Sequence, residues 1–205
     1  YSRLLVAAKR WLNPTVVSDY DPIAFDDLSE PSRSRLSEAV ERFREIASKI
    51  PSEQPPSDEQ FRTGLAALDE LRQITGEVAR EEWLQAAGSV IDRVEGWAKE
   101  SGWLTRRKPA LLQETLLGEY KLDDLFFYAD DHLYTLNPKS RFSYGGLGNF
   151  DLALQPSFES TVIYRTMQGQ WMIFLETSRG LHLARQAELD RESFHQAVAE
   201  LRSRL

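Results

Sequence analysis

The chain contains no cysteine, and that absence removes disulfides, cysteine-rich zinc sites, iron–sulfur clusters and thiol nucleophiles together. Histidine is almost as scarce. His132, His182 and His195 are the only three, and none stands in the H-x-x-x-H or H-E-x-x-H spacing that sets two imidazoles on one helical face. No G-x-S-x-G or S-x-x-K occurs either, so nothing in the order of residues marks a serine nucleophile.

Long apolar runs are missing as well. Leu4-Leu5-Val6-Ala7-Ala8 is stopped by Lys9-Arg10, far short of the roughly 20 residues that span a bilayer, so no membrane span is expected. A basic excess is also lacking: the net charge is −7, and through Thr105 there are 13 Lys+Arg against 19 Asp+Glu. Duplex binding rests on cations that displace counterions from phosphates, which makes nucleic acid a disfavoured partner. A protein partner is the expectation that remains. No cofactor motif occurs, so no cofactor is expected. The cysteine-free composition suits a reducing cytoplasm, although a periplasm would tolerate it equally.

What is present divides into two textures, a helical region over 1–104 and a β region over 105–205, either separate or sharing one core. Leu4, Leu5, Ala8, Trp11 and Leu12 form a helical stripe within Ser2 to Leu12, and the Asp-rich stretch from Asn13 to Ser29 reads as irregular. Leu36, Val40, Phe43, Ala47 and Ile50 recur at three and four residues, which predicts a helix over 31–50 entered through Ser29 and Pro31. Pro51, Pro55 and Pro56 cannot continue it, because proline lacks the backbone donor.

Ser57-Asp58-Glu59-Gln60 then matches a capping box. The stripe that follows runs through Phe61, Leu65 and Leu68 and resumes at Trp83, Ala87, Val90, Val94 and Trp97. One helix from Ser57 to Glu100 would be on the order of 66 Å long at 1.5 Å per residue, so a break near Thr75-Gly76 is expected. Gly64, Gly76 and Gly88 are evenly spaced but face different directions at 3.6 residues per turn, and do not read as a repeat.

Beyond Trp103, Arg106-Arg107-Lys108-Pro109 reads as a hinge, and Ala110 to Leu117 as a short helix closed by Gly118. Runs rich in aromatic and β-branched residues follow: Leu125 to Tyr128, His132 to Leu136, Phe150 to Leu154, Thr161 to Arg165, Trp171 to Glu176 and Leu181 to Arg185. Their separators are turn residues, and the short spacings leave no room for parallel crossovers, so an antiparallel meander is predicted. Asp190 caps a final helix with Phe194, Val198, Leu201 and Leu205 on one face. The fold class is therefore α+β: an N-terminal helical bundle or hairpin, then an antiparallel meander with a C-terminal packing helix. In topology alone, a meander closed by a helix resembles the pleckstrin-homology-like plan, and a plan of that kind leaves function open.

Three constellations are candidates for chemistry. Asp130, Asp131 and His132 are the densest group of oxygen and nitrogen ligands, and with Asp123, Asp124 or Asp151 they would suit a metal-assisted hydrolase. The same residues suit a hairpin turn. Tyr144, Gly145, Gly146 and Gly148 form the one glycine-rich loop, which together with Arg106 and Arg107 would suit a small ligand or anion. That loop lacks the lysine of a phosphate cradle and leads into a strand.

The third feature is the aromatic content of the second half, including Phe126, Phe127, Tyr128, Tyr134, Phe150, Tyr164, Trp171 and Phe174. Alternation along strands places these residues on both faces of a sheet. With one face under the final helix, the N-terminal helices are expected to cover the other, since fused elements of a chain ordinarily share a core. Failing that, the second face is a partner surface. With no coherent catalytic set, the expected role is a non-enzymatic protein-interaction or regulatory module.

Overall fold

The computed structural model describes residues 30–49, 57–141, 146–157, 159–176 and 184–205. The expected helix over Ser2 to Leu12, the irregular stretch after it and the turn at Ser178-Arg179-Gly180 lie outside the described residues. The chain divides into two compact units, Tyr1–Ala79 and Arg80–Leu205.

In the first unit, helix α1 (Glu30–Ser48) buries Leu36, Ala39 and Phe43, the stripe read from the sequence. Helix α2 (Asp58–Glu100) starts at the expected capping box. The Ser57 amide donates to Gln60 Oε1 at 2.9 Å, and the Gln60 amide donates to Ser57 Oγ at 3.2 Å. Arg35 pairs with Glu77 at 2.7 Å and Arg42 with Glu70 at 3.0 Å, joining α1 to α2. Pairs this exposed orient helices more than they stabilise them.

The expected break at Thr75-Gly76 does not occur, because α2 is one helix. Its stripe passes unbroken through the site, with Leu71, Thr75, Val78, Ala79 and Trp83 all buried. Thr75 Oγ1 satisfies itself by donating to the Leu71 carbonyl at 2.7 Å. A mid-helix glycine costs about 1 kcal/mol, which burial on either side of it outweighs.

The second unit carries one seven-stranded antiparallel sheet in meander order. Its strands are β1 (Leu104–Glu114), β2 (Gly118–Ala129), β3 (His132–Ser140), β4 (Asn149–Gln155), β5 (Ser160–Arg165), β6 (Trp171–Leu175) and β7 (Arg185–Glu188), followed by helix α3 (Arg191–Arg202). The architecture is thus α+β, as the sequence predicts. Among the described residues the sheet is open, with β1 and β7 at its edges.

Two local expectations are corrected. Arg106 to Pro109 is the middle of β1 rather than a hinge, and Ala110 to Leu117 completes that strand and its turn rather than forming a helix. Gly118 does take a positive φ of 71°, but it opens β2 instead of closing a helix. The last strand begins at Arg185 and runs to Glu188, downstream of the expected run, whose residues 181–183 lie outside the described set.

The β1–β2 register stays constant, yet the buried residues of β2 change parity, from Tyr120 and Leu122 to Leu125, Phe127 and Ala129. β3 pairs with β2 only between Leu125 and Ala129. Beyond that point the hairpin is a two-stranded ribbon, which twists more strongly than a ribbon held in a wider sheet and turns its other face inward.

The core lies on one face of the sheet, where Phe127, Tyr134, Phe150, Ile163 and Ile173 are fully buried. Asp190 caps α3 through its side chain to the Ser193 amide, as expected, and α3 buries Phe194, Val198 and Leu201 on this face. Leu205, expected on the same stripe, lies past the helix end and is 64% exposed. Residues 80–100 of α2 cover the same face: Trp83 approaches Phe150 at 5.8 Å and Trp97 approaches Phe194 at 5.8 Å, ring centre to ring centre. The opposite face keeps Tyr128 exposed and Phe126, Leu133, Tyr164 and Phe174 half-buried.

Candidate functional site

Asp130 and Asp131 have φ of 48° and 64° and join Ala129 to its cross-strand partner His132. Two successive positive φ values match the twist of a two-residue hairpin, and Asp tolerates them better than most residues. Asp130 is ion-paired with Arg202, and Asp151 with Lys139 at 3.1 Å. Among the described residues, no three His, Asp or Glu side chains are grouped to hold a metal ion.

The two arginines diverge. Arg107 pairs with Asp92 at 2.8 Å and donates from Nε to Glu95 at 2.9 Å, both on α2. Burial opposes ionisation of Glu95, but hydrogen bonds from Lys99, Arg107 and Thr105 outweigh it and hold this carboxyl below its ordinary range. Arg106 stands opposite Phe126 on the other face of the hairpin. Neighbours on a strand point apart, so the two guanidinium groups do not converge on one anion.

Tyr144 and Gly145 lie outside the described residues. Gly146 and Gly148 lie within them, and Leu147–Gly148 is bonded to β5: the Leu147 amide donates to the Arg165 carbonyl and the Arg165 amide to the Gly148 carbonyl, each at 2.8 Å. Gly148 has a φ of 144°, and a Cβ there would lie 2.2 Å from Trp83 Cζ3. This glycine is required by the close approach of an indole and by its own backbone conformation.

Beside it is a buried charge cluster that sequence reasoning missed. Glu82 accepts from Arg141 Nε at 2.9 Å and is also ion-paired with Arg165. The Arg141 side chain is 1% exposed, and burial pushes its guanidinium below the ordinary value against the pull of Glu82. Next to it Trp83 Nε1 donates to the Tyr120 hydroxyl at 3.1 Å, and Tyr120 donates to Glu114. Glu114 also accepts from the Arg141 amide at 2.9 Å. Burial and then Glu114 push the Tyr120 phenol well above its usual range. Two carboxylates balance two guanidinium groups, so the cluster ties α2 to the sheet rather than presenting charge.

On the opposite face of β1, β2 and β3 an open groove of about 500 Å3 is lined by Leu104, Arg106, Lys108, Phe126, Tyr128 and Leu133. The register explains the grouping, since Leu104 faces Tyr128, Arg106 faces Phe126 and Tyr128 faces Leu133 across the strands. Leu104 is 77% and Tyr128 52% exposed. Among the described residues neither Arg106 nor Lys108 has an ion-pair partner.

His195 lies on α3 beside the end of α2. Its Nε2 lies 3.1 Å from Ser101 Oγ, whose own proton goes to the Trp97 carbonyl at 2.9 Å. That leaves Nε2 to donate, so the pair closes the end of α2 and does not activate a nucleophile. Burial, then the charge of Arg191, lowers the His195 pKa below 6.5. The folded state therefore prefers the neutral ring. The resulting stability is complete above the unfolded value and is lost as pH falls through the folded one. Unfolding temperatures measured between pH 7.5 and 5.5 are expected to decline less in His195→Gln than in the parent chain. Parallel curves would show that His195 is not the group titrating.

No protein-family model, curated protein or solved structure matches this chain.

Proposed function

We propose that this chain is a non-enzymatic interaction module that docks a protein segment on the outer face of β1, β2 and β3. The observation that carries the reading is the groove, where exposed Leu104 and Tyr128 flank Phe126 and Leu133 on a face that neither α3 nor residues 80–100 of α2 covers. An exposed apolar patch rimmed by polar groups is the mark of a binding surface. Aromatic and arginine side chains are the residues that most often dominate such contacts. The remaining candidates fit a structural role better: Arg107 is engaged with α2, and Asp130-Asp131 forms a turn.

A random-peptide display selection against the folded chain tests this. Peptides enriched on the parent are expected to lose about tenfold or more in affinity on Tyr128→Asp, the scale of a hot-spot change. Aspartate in place of a half-exposed strand tyrosine should cost about 1–2 kcal/mol in strand preference and cross-strand contact, short of unfolding the chain, and thermal unfolding of the variant serves as the folding control. No enrichment, or enrichment indifferent to both Tyr128→Asp and Leu104→Asp, would sink the reading.

A further inference from the structure

We infer that the segment this groove takes is an acidic peptide, which sets a carboxylate on Arg106 beside an apolar side chain lodged among Leu104, Phe126 and Tyr128. This rests on the interaction reading and adds the chemistry of the partner. The ground is charge complementarity in a chain whose other cations of the second unit are largely matched. Arg107 pairs with Asp92 and Glu95, Arg141 and Arg165 with Glu82, Arg191 with Glu100, Arg202 with Asp130 and Arg204 with Glu159. Among the described residues Arg106 and Lys108 have no ion pair, and of the other cations without one, Arg80, Arg93 and Lys121, none lines the groove, although the whole chain carries a net charge of −7.

Asp124 stands across from Lys108 in register, whereas the residue across from Arg106 is Phe126. The guanidinium thus projects from an apolar floor. There a planar fork of donors binds a carboxylate in two parallel hydrogen bonds and meets less competition from water than on a fully polar surface. Side chains, rather than strand addition, make the contact. The β1 edge is interrupted by Pro109, which lacks a donor, and lysine and proline at an edge discourage pairing with another strand.

Other occupants fit less well. A two-fold dimer through this face would set the patch against its own copy and gather Arg106 and Lys108 of both chains, four cations, in one interface, which like charges oppose. Anionic membrane surfaces are read by clusters of about 4–8 cations, and this groove has two. Nucleic acid requires a wider basic footprint still.

The test uses peptides selected on the intact chain, measured by fluorescence anisotropy beside counterparts whose Asp and Glu are replaced by Asn and Gln. The acidic forms are expected to bind at least about tenfold tighter than the amide forms. Arg106→Glu should abolish that preference and favour a lysine-substituted peptide instead. Amide peptides that bind equally well, still through Tyr128 and unaffected by Arg106→Glu, would overturn the acidic-partner inference and leave the interaction module intact. Loss of all Tyr128-dependent peptide binding would remove both. Sedimentation showing a dimer broken by Tyr128→Asp, or binding to phosphatidylserine vesicles lost on Arg106→Glu, would give the groove to a second copy or a lipid surface and overturn the inference as well.

Discussion

Gly148→Ala is expected to destabilise the second unit by about 3 kcal/mol or more, combining an overpacked core with a strained backbone. The methyl group would have to enter space held by the Trp83 ring, 2.2 Å from Cζ3 and 2.8 Å from Cη2, and Trp83 is fully buried. The indole has nowhere to go. It is packed against Phe150 and Trp171 and hydrogen-bonded to Tyr120. In thermal unfolding the loss should read as a fall on the order of 10 °C. A double-mutant cycle separates the two causes, because in a Trp83→Leu background the clash is gone while the φ of 144° still disfavours a Cβ. The cost of Gly148→Ala should then shrink without vanishing. A cost independent of residue 83 would mean that the glycine is required for its backbone conformation alone.

Glu82→Gln should cost a comparable amount, about 3–5 kcal/mol, the range found when one member of a buried ion pair is removed. The amide keeps the shape of the side chain but leaves Arg141 and Arg165 close together without their shared carboxylate. Both guanidinium groups are at most 10% exposed, so water cannot take its place. Asp92→Asn is the matched control, because Asp92 is 69% exposed and bonds one arm of Arg107; its effect should stay within about 1 kcal/mol. Urea denaturation of the two variants, read as a shift in midpoint at constant slope, measures the difference. Equal midpoints would show that the cluster does not hold the unit together.

The elements legible in the sequence were those with local causes. Ser57 and Gln60 close their own capping box, Asp190 caps α3, and the strands from β2 to β6 announce themselves by alternating apolar residues between turn signals. Asp130-Asp131 read as a hairpin turn for the same reason. Strand β1 was illegible. Arg106-Arg107-Lys108-Pro109 has the composition of a linker, and Leu111, Leu112, Leu116 and Leu117 repeat at helical spacing. What makes this segment a strand is eleven cross-strand partners on β2, and an edge position that accommodates charge and proline.

The candidate site divides in the same way. Arg106 could be singled out as a cation in a short basic run, but its separation from Arg107 onto the opposite face follows from strand alternation, which became visible once β1 was known to be a strand. The Glu82, Arg141 and Arg165 cluster had no signal to find, since its members are scattered along the chain and look like ordinary surface residues. Periodicity, capping and turn chemistry act over a few neighbouring residues, so composition and order were enough to establish an α+β chain with an antiparallel meander. The continuity of α2, the strand state of β1, the choice of the face that both helices cover and the burial of that cluster depend on contacts between residues distant in sequence. Their energies exceed the local preferences they overrule.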